Sequence, residues 1–245
     1  MINKPIVIHQ SSFQLAWKEA ATSIENNAWG INNLIVHIND PTFFDDNFHE
    51  AFSQFCASNS ILGPKDVAYT IFPHKLYKTR RTADRLFRSY NRKGGLYERL
   101  RRRPRRGWGT YFHRMTNYEL GGGRQNQLKN IIDAINNRLN IYKAAYTVVI
   151  QKPGSETIKP LGGPCLNYLA VQMEPRPTRA LLGLLAVYRN HDFLKRAYGN
   201  YWGLCNLICF LSRETGSMPG PLTCVSSRAY VDRKKNRLSD FLGSI

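Results

Sequence analysis

Three strand-length apolar segments, Leu166 to Met173, Ala180 to Tyr188 and Leu222 to Val231, surround a strongly apolar helical stretch from about Asn200 to Leu211. That alternation leaves few options besides a sheet with helices packed on it. The longest apolar runs, Ala180 to Val187 and the Asn206-interrupted Tyr201 to Leu211, fall short of the roughly 20 residues that span a bilayer, so no membrane segment is expected. Upstream, Ser11 or Ser12 can cap a helix whose Leu15, Ala16, Ala20 and Ile24 recur at helical spacing. Asn32 to Ile38 reads as a strand closed by Asn39-Asp40-Pro41, Phe44 to Phe55 as a helix with one aromatic face, and Asp66 to Phe72 as a strand ending at Pro73. Leu128, Ile131, Ile132, Ile135 and Leu139 share a helical face, and Ala145 to Ile150 follows as a strand. The order predicts an α/β or α+β protein forming one domain over residues 1–245. A chain that is 42% hydrophobic and 12% aromatic has the material for its core.

Charge is concentrated in one place. The net charge is +18, and the stretch from Lys75 to Arg114 holds fifteen Lys or Arg against only Asp84 and Glu98, a surplus of thirteen. Twelve of the fifteen are arginines, whose guanidinium forks grip phosphate oxygens in pairs. Within it, Arg101-Arg-Arg-Pro-Arg-Arg106 carries Pro104 and is flanked by Gly94-Gly95 and Gly107. Residues 75–114 are therefore expected to be an exposed arginine-rich insert or loop, either a phosphate clamp or nucleic-acid patch or a solvated connector. No secretory signal is recognisable at the N-terminus, so the compartment expected is cytoplasmic. Five cysteines without a Cys-x-x-Cys pairing predict neither a disulfide framework nor a metal site. Cys205 and Cys209, one turn apart among apolar residues, are expected in the core, and Gly121-Gly-Gly123 is expected to be a turn.

Reactive groups cluster late in the chain. Gly163-Pro164-Cys165 opens a strand, Tyr188-Arg189-Asn190-His191-Asp192 closes another, and Asn200 follows eight residues after Asp192 at the start of the apolar helix. Tyr230 lies near the end of the last strand, and Gly109-Thr-Tyr-Phe-His-Arg114 precedes the sheet-rich half. These elements, in this order and spacing from about Gly107 to Val231, resemble the thymidylate synthase and pyrimidine nucleotide hydroxymethylase superfamily. That resemblance implies a mixed β-sheet flanked by helices, a back-to-back homodimer, a pyrimidine nucleotide substrate and 5,10-methylenetetrahydrofolate as one-carbon donor. It implies Cys165 as nucleophile, Arg189 at the nucleotide phosphate and the cysteine, and Asp192 on the folate side. Asn200 would read the pyrimidine, Tyr230 hold the ribose and Tyr111 belong to a proton relay. Leu166 and Arg228 stand where the family has histidines, and the paired arginines that cross its dimer interface have no counterpart near Ala145-Tyr146. Arg101, Arg102 and Arg103 are the expected replacements, and Arg228 is placed with Tyr230 in substrate binding.

The residues support this chemistry on their own terms. A thiolate beside Arg189 can attack C6 of a pyrimidine, turning C5 into a carbon nucleophile while a positioned donor steadies the developing charge at O4. Methyl or hydroxymethyl transfer could follow. Two other readings use the same residues: a nucleic-acid binder with Arg80 to Arg106 on phosphates and Tyr90, Tyr97 and Trp108 stacking on bases, and a nucleotide-binding pseudoenzyme. His191 is expected at the surface or behind the site rather than as a base.

Overall fold

A computed structural model describes residues 4–101, 109–137, 142–143, 145–154, 156 and 163–245. The chain begins with β1 (Ile6–Gln10), α1 (Phe13–Asn26) and β2 (Gly30–Ile38), and β1 pairs parallel to β2. Ser12 caps α1, its side chain accepting from the Leu15 N–H, which satisfies one of the helix's free donors. α2 (Asp46–Ser58) is capped by Asp45. α3 (Pro64–Ile71) occupies the segment expected as a strand. Its β-branched residues suggested extension, but Pro64 starts the helix, Asp66 suits its first turn, and Val67, Ala68 and Ile71 form the face that is buried.

In the basic segment, expected as an exposed loop, the described residues form α4 (His74–Arg80), α5 (Ala83–Asn91), α6 (Leu96–Arg101) and α7 (Tyr111–Thr116), while residues 102–108, with most of the arginine run, lie outside the described residues. Tyr77, Leu86, Phe87, Tyr90, Tyr111 and Phe112 anchor these helices in the core, while Arg85 and Arg88 remain exposed on α5, and Arg81 and Arg92 are exposed in the residues that flank it. The arginine spacing is that of an amphipathic helix, and the interleaved aromatics supply its apolar side. A hairpin of β3 (Tyr118–Leu120) and β4 (Gly123–Gln125) turns at Gly121-Gly122, as anticipated, and leads into α8 (Gln127–Asn136).

The remaining strands are β5 (Tyr146–Val149), β6 (Leu166–Glu174), β7 (Leu181–Tyr188), the two-residue β8 (His191–Asp192) and β9 (Met218–Tyr230). A π-helical turn at Phe193–Ala197 feeds α9 (Tyr198–Glu214), and α10 (Lys235–Ser244) follows β9. The strands form a mixed seven-stranded sheet ordered β1-β2-β9-β7-β6-β5, with β8 on β9. β9 runs antiparallel to β2 and parallel to β7, so the last strand closes the sheet between its N-terminal and C-terminal halves.

Helices α1, α8 and α9 pack against one face of the sheet. A register row on that face, Ile8, Val36, Cys224, Ala186, Leu169 and Val148, is buried throughout. Beneath the helices Trp17 makes edge contacts with Phe52 and Tyr198 and donates its indole N–H to the Phe193 carbonyl at 2.9 Å. Among the described residues no helix is long and apolar enough to cross a membrane.

Candidate active site

The site forms where the sheet's regular pairing breaks. β7 leaves β9 after Tyr188↔Ser226, and pairing resumes in the same register in β8 at His191↔Ala229, so the ladder is interrupted only at Arg189 and Asn190. Across the sheet, β6 begins at Leu166 opposite Tyr188, with a register shift before Tyr168. Cys165 immediately precedes β6, and its carbonyl accepts the Arg189 N–H at 2.9 Å. The Arg189 side chain folds back over the same turn, its Nε donating to the Pro164 carbonyl and an Nη to the Gly163 carbonyl, both at 3.2 Å. Two residues 24 positions apart are therefore brought together by one strand pair.

Other groups close around the sulfur. Tyr111, at the first turn of α7, is buried with its hydroxyl on the backbone amides of Cys165 and Leu166. Thr110 caps that helix, and Arg114 holds it to the sheet through the Ile150 carbonyl at 2.9 Å and a buried ion pair with Glu156. Asp192 and Arg196 both act electrostatically on Cys165, and Tyr230 feels Cys165 and Asp192 while bonding to Asn190. Cys165, Arg189, Asp192, Tyr111 and Tyr230 thus share one locality. Arg196 and Asn190 belong there as well. Sequence reasoning missed both, because nothing marks a lone Arg or Asn until the π-helical turn and the break between β7 and β8 place them.

Burial dominates the thiol. It raises the Cys165 pKa above the ordinary value, with Arg189 and then Arg196 pulling it partly back and Asp192 pushing it up. The expectation that Arg189 makes Cys165 acidic is therefore corrected: the cation softens a desolvation penalty without overturning it, and the resting group is a thiol. Tyr111 is held protonated, mainly by burial. The other four cysteines are also raised by burial, Cys56 to about 12 and Cys209 to about 11, as suits packed thiols.

Asp192 is already engaged. Its carboxylate accepts the Lys195 N–H at 2.9 Å, capping the π-helical turn, and its other oxygen lies 3.3 Å from Lys195 Nζ, which also pairs with Asp232 at 2.9 Å. Asn200 is not a helix cap, since α9 starts two residues earlier and its first turn continues the π-helical one. Its side chain is buried, with Nδ2 3.0 Å from His191 Nε2. His191 is not at the surface; it lies just past the break between β7 and β8, 1% exposed.

Arg228 is exposed, bonds the Asn32 carboxamide oxygen at 3.2 Å and lies over Gly30, where a Cβ would come within 2.2 Å of its guanidinium. With Tyr230, Asn190, Trp29, Asp232 and Lys235 it lines an open cavity of about 380 Å³. Arg102 and Arg103 lie outside the described residues, as does Trp108, and Arg101 ends α6. Tyr90 is fully buried and Tyr97 has its ring face on His113 at 3.5 Å, so neither offers a free stacking platform.

No protein-family model matches this chain, and no curated protein does. Among the described residues no cluster of three or more His, Cys, Asp or Glu could hold a metal ion.

Proposed function

We propose that the protein is a thymidylate-synthase-like transferase in which Cys165 adds to C6 of a pyrimidine nucleotide and so activates C5 for one-carbon transfer. The observation that carries this reading is the closure of Cys165, Arg189, Asp192, Tyr111 and Tyr230 around one break in the sheet. Addition forms a C–S bond and moves the C5–C6 electron pair toward C5 and O4. The thiol proton must leave as the bond forms. Arg189 and Arg196 favour the developing thiolate, and the site spends least when deprotonation and attack are coupled. Tyr230 and Arg228, joined by their cavity, are the groups placed to hold sugar and phosphate.

The donor side is less complete. The resemblance puts 5,10-methylenetetrahydrofolate beside Asp192, but that carboxylate is tied to the Lys195 backbone and ammonium. Activation of C5 is the step these residues carry, and it has a direct readout. Incubating dUMP, dCMP, UMP and CMP in deuterated water is expected to exchange the C5 hydrogen of at least one, because the C5 carbanion takes a deuteron from solvent, and loss of the original C5 proton with expulsion of the thiolate from C6 restores the double bond. Cys165→Ser is expected to abolish the exchange. Absence of exchange with all four, with and without the folate, overturns the catalytic reading and leaves a nucleotide-binding pseudoenzyme.

A homodimer fits the uncovered sheet face. Val7, Ile35, Val225, Val187, Tyr168 and Val149 form one apolar register row there, with Val7 51% and Val149 42% exposed. Two chains of charge +18 repel, so a second copy is best met through an uncharged strip, and a two-fold axis sets such a row against itself. A second function is favoured by the exposed arginines Arg81, Arg85, Arg88 and Arg92 on and beside α5, whose concentrated charge suits the phosphates of a nucleic acid. Polynucleotide binding that falls steeply between about 50 and 200 mM salt would support it.

A further inference from the structure

The open cavity beside the site extends further than one nucleotide needs. Its lining runs from Asn190 and Tyr230 to Arg228, Trp29 and Lys235, and Cys165 is not part of it. At this end of the sheet the strands follow in the order β6-β7-β9-β2. Trp29, one residue before β2, therefore lies one strand beyond Tyr230 and three strands from Cys165. Neighbouring strands are about 4.8 Å apart, which puts the Trp29 backbone about 14 Å from that of Cys165. The near side is fixed by register: Gly30 pairs with Tyr230, and the Val231 N–H donates to the Trp29 carbonyl at 3.1 Å.

Trp29 is held on the cavity wall by an unfavourable turn. Ala28 and Trp29 take φ of 53° and 68°, a left-handed backbone that residues with a Cβ rarely adopt. Backbone of this kind gathers where a side chain is aimed at a ligand. The turn runs into Gly30, whose lack of a side chain makes room for Arg228: a Cβ there would come within 2.2 Å of the guanidinium. Arg228 bonds the neutral Asn32 carboxamide, and the Lys235 ammonium lies 5.9 Å from the Trp29 ring centroid. The carboxylate of the lining, Asp232, is paired with Lys195 instead. The wall thus offers an aromatic ring and two cations that meet no carboxylate among the described residues.

A mononucleotide leaves that ring without a partner. Its one base has to reach the Cys165 sulfur, its sugar lies at Tyr230, and nothing aromatic remains for a surface one strand further out. We propose that the substrate is a pyrimidine nucleotide joined through its 5′-phosphate to a second nucleoside, whose base stacks on Trp29 while the phosphates meet Arg228 and Lys235. The inference rests on the Cys165 reading and names its substrate class. Stacking on tryptophan is tolerant of sequence, so the second base is not specified by this contact.

Two measurements on the full-length chain test it. In deuterated water, C5-hydrogen exchange is compared for dUMP and dCMP and for the dinucleotides pdApdU and pdApdC. The wild type is expected to show a kcat/KM at least about 10-fold higher for a dinucleotide than for its mononucleotide, the scale of one base on an aromatic side chain. Trp29→Ala is expected to remove that advantage and Trp29→Phe to keep most of it. A ring that merely packs would slow both substrates alike when removed, so an unchanged ratio in folded Trp29→Ala overturns the proposal, as does a wild type that treats the two alike. The second measurement needs no chemistry: equilibrium dialysis of the same ligands against Cys165→Ser protein is expected to show tighter binding of the dinucleotide, lost when Trp29→Ala is added. Exchange with none of the substrates by the wild type overturns the Cys165 reading, while the dialysis still decides whether Trp29 holds a second base. A hexamer of deoxyadenosines ending in a 3′ deoxyuridine separates the two sources of such a nucleotide: exchange as fast as with pdApdU assigns the end of a nucleic-acid strand, and much slower exchange a free dinucleotide.

Discussion

Two rows of side chains one residue apart, on opposite faces of the same six strands, differ little in composition and greatly in surroundings. Ile8, Val36, Cys224, Ala186, Leu169 and Val148 lie under helices and are at most 2% exposed. Val7, Ile35, Val225, Val187, Tyr168 and Val149 form the other row, with only partial cover. A sheet with one wet face normally alternates apolar and polar residues; continuous apolar strands belong to sheets buried on both sides. The covered row accounts for the fold of one chain, and the second row argues for assembly. The contrast also separates what each face can tolerate.

The covered side should break hardest at its closest approach. α9 lies against α3 through Gly199 and Gly203: a Cβ on Gly199 would come within 2.6 Å of the Pro64 carbonyl and of Val67 Cβ, and one on Gly203 within 2.9 Å of the Ala68 carbonyl. Two of these contacts are backbone and cannot swing aside. Gly199→Ala is expected to lower the unfolding free energy by about 2 kcal/mol, the overpacking penalty exceeding the gain in helix propensity. In a chain of this size that lowers Tm by roughly 6 °C. Gly243→Ala in α10, with open space around it, is expected to change nothing or to stabilise slightly. Equal Tm values for the two variants would show that α3 and α9 do not meet as described.

That seam also shows what the sequence could reveal. β2, α8, β5, β6, β7, α9 and β9 were legible because each carries several apolar residues at a clear period. α3 was not, since the short stretch from Asp66 to Phe72, running into Pro73, satisfies strand and helix patterns alike, and the glycines facing it from α9 show the close helix packing. The arginine run hid the periodicity of α4 and α5, whose buried positions are aromatic residues separated by charge. At the site, Cys165, Arg189 and Asp192 could be singled out because each stands at a strand end that the flanking apolar runs mark in the sequence. The His191–Asn200 bond could not, because nine residues and a π-helical turn separate two side chains that meet only in space.

Acid should discriminate the faces next. His191 has a pKa of about 3 in the fold against an ordinary 6.5, so between these values the unfolded chain takes up a proton that the folded one refuses. Stability therefore falls as pH drops below about 6.5, by about 1.4 kcal/mol per pH unit for this residue. His74 and His113, both lowered to about 4 chiefly by burial, act with the same sign. His37 on the open face is lowered by partial burial and by its neighbour His9, a weaker arrangement that contributes less. Denaturant unfolding at pH 7, 6 and 5 is expected to show the slope, and His191→Gln to reduce it. An unaltered slope in that variant would place the acid sensitivity elsewhere.

The smallest effect on folding is expected from the open row, and there the readout is mass rather than stability. Val225→Glu puts a carboxylate at the middle of the strip, next to Val187 on one side and Ile35 on the other. In a monomer that side chain reaches water, so the unfolding free energy changes by about 1 kcal/mol or less. In a dimer it would be trapped against its own copy, two like charges across a two-fold axis, and association fails. Light scattering is expected to give twice the 28.2 kDa chain mass for the wild type and the single mass for the variant. The same change one residue earlier, Cys224→Glu, buries an unpaired charge under α9 and is expected to prevent folding. If the wild type is monomeric at tens of micromolar, the apolar row is not a self-contact; if Val225→Glu stays dimeric, the two copies meet through a different surface.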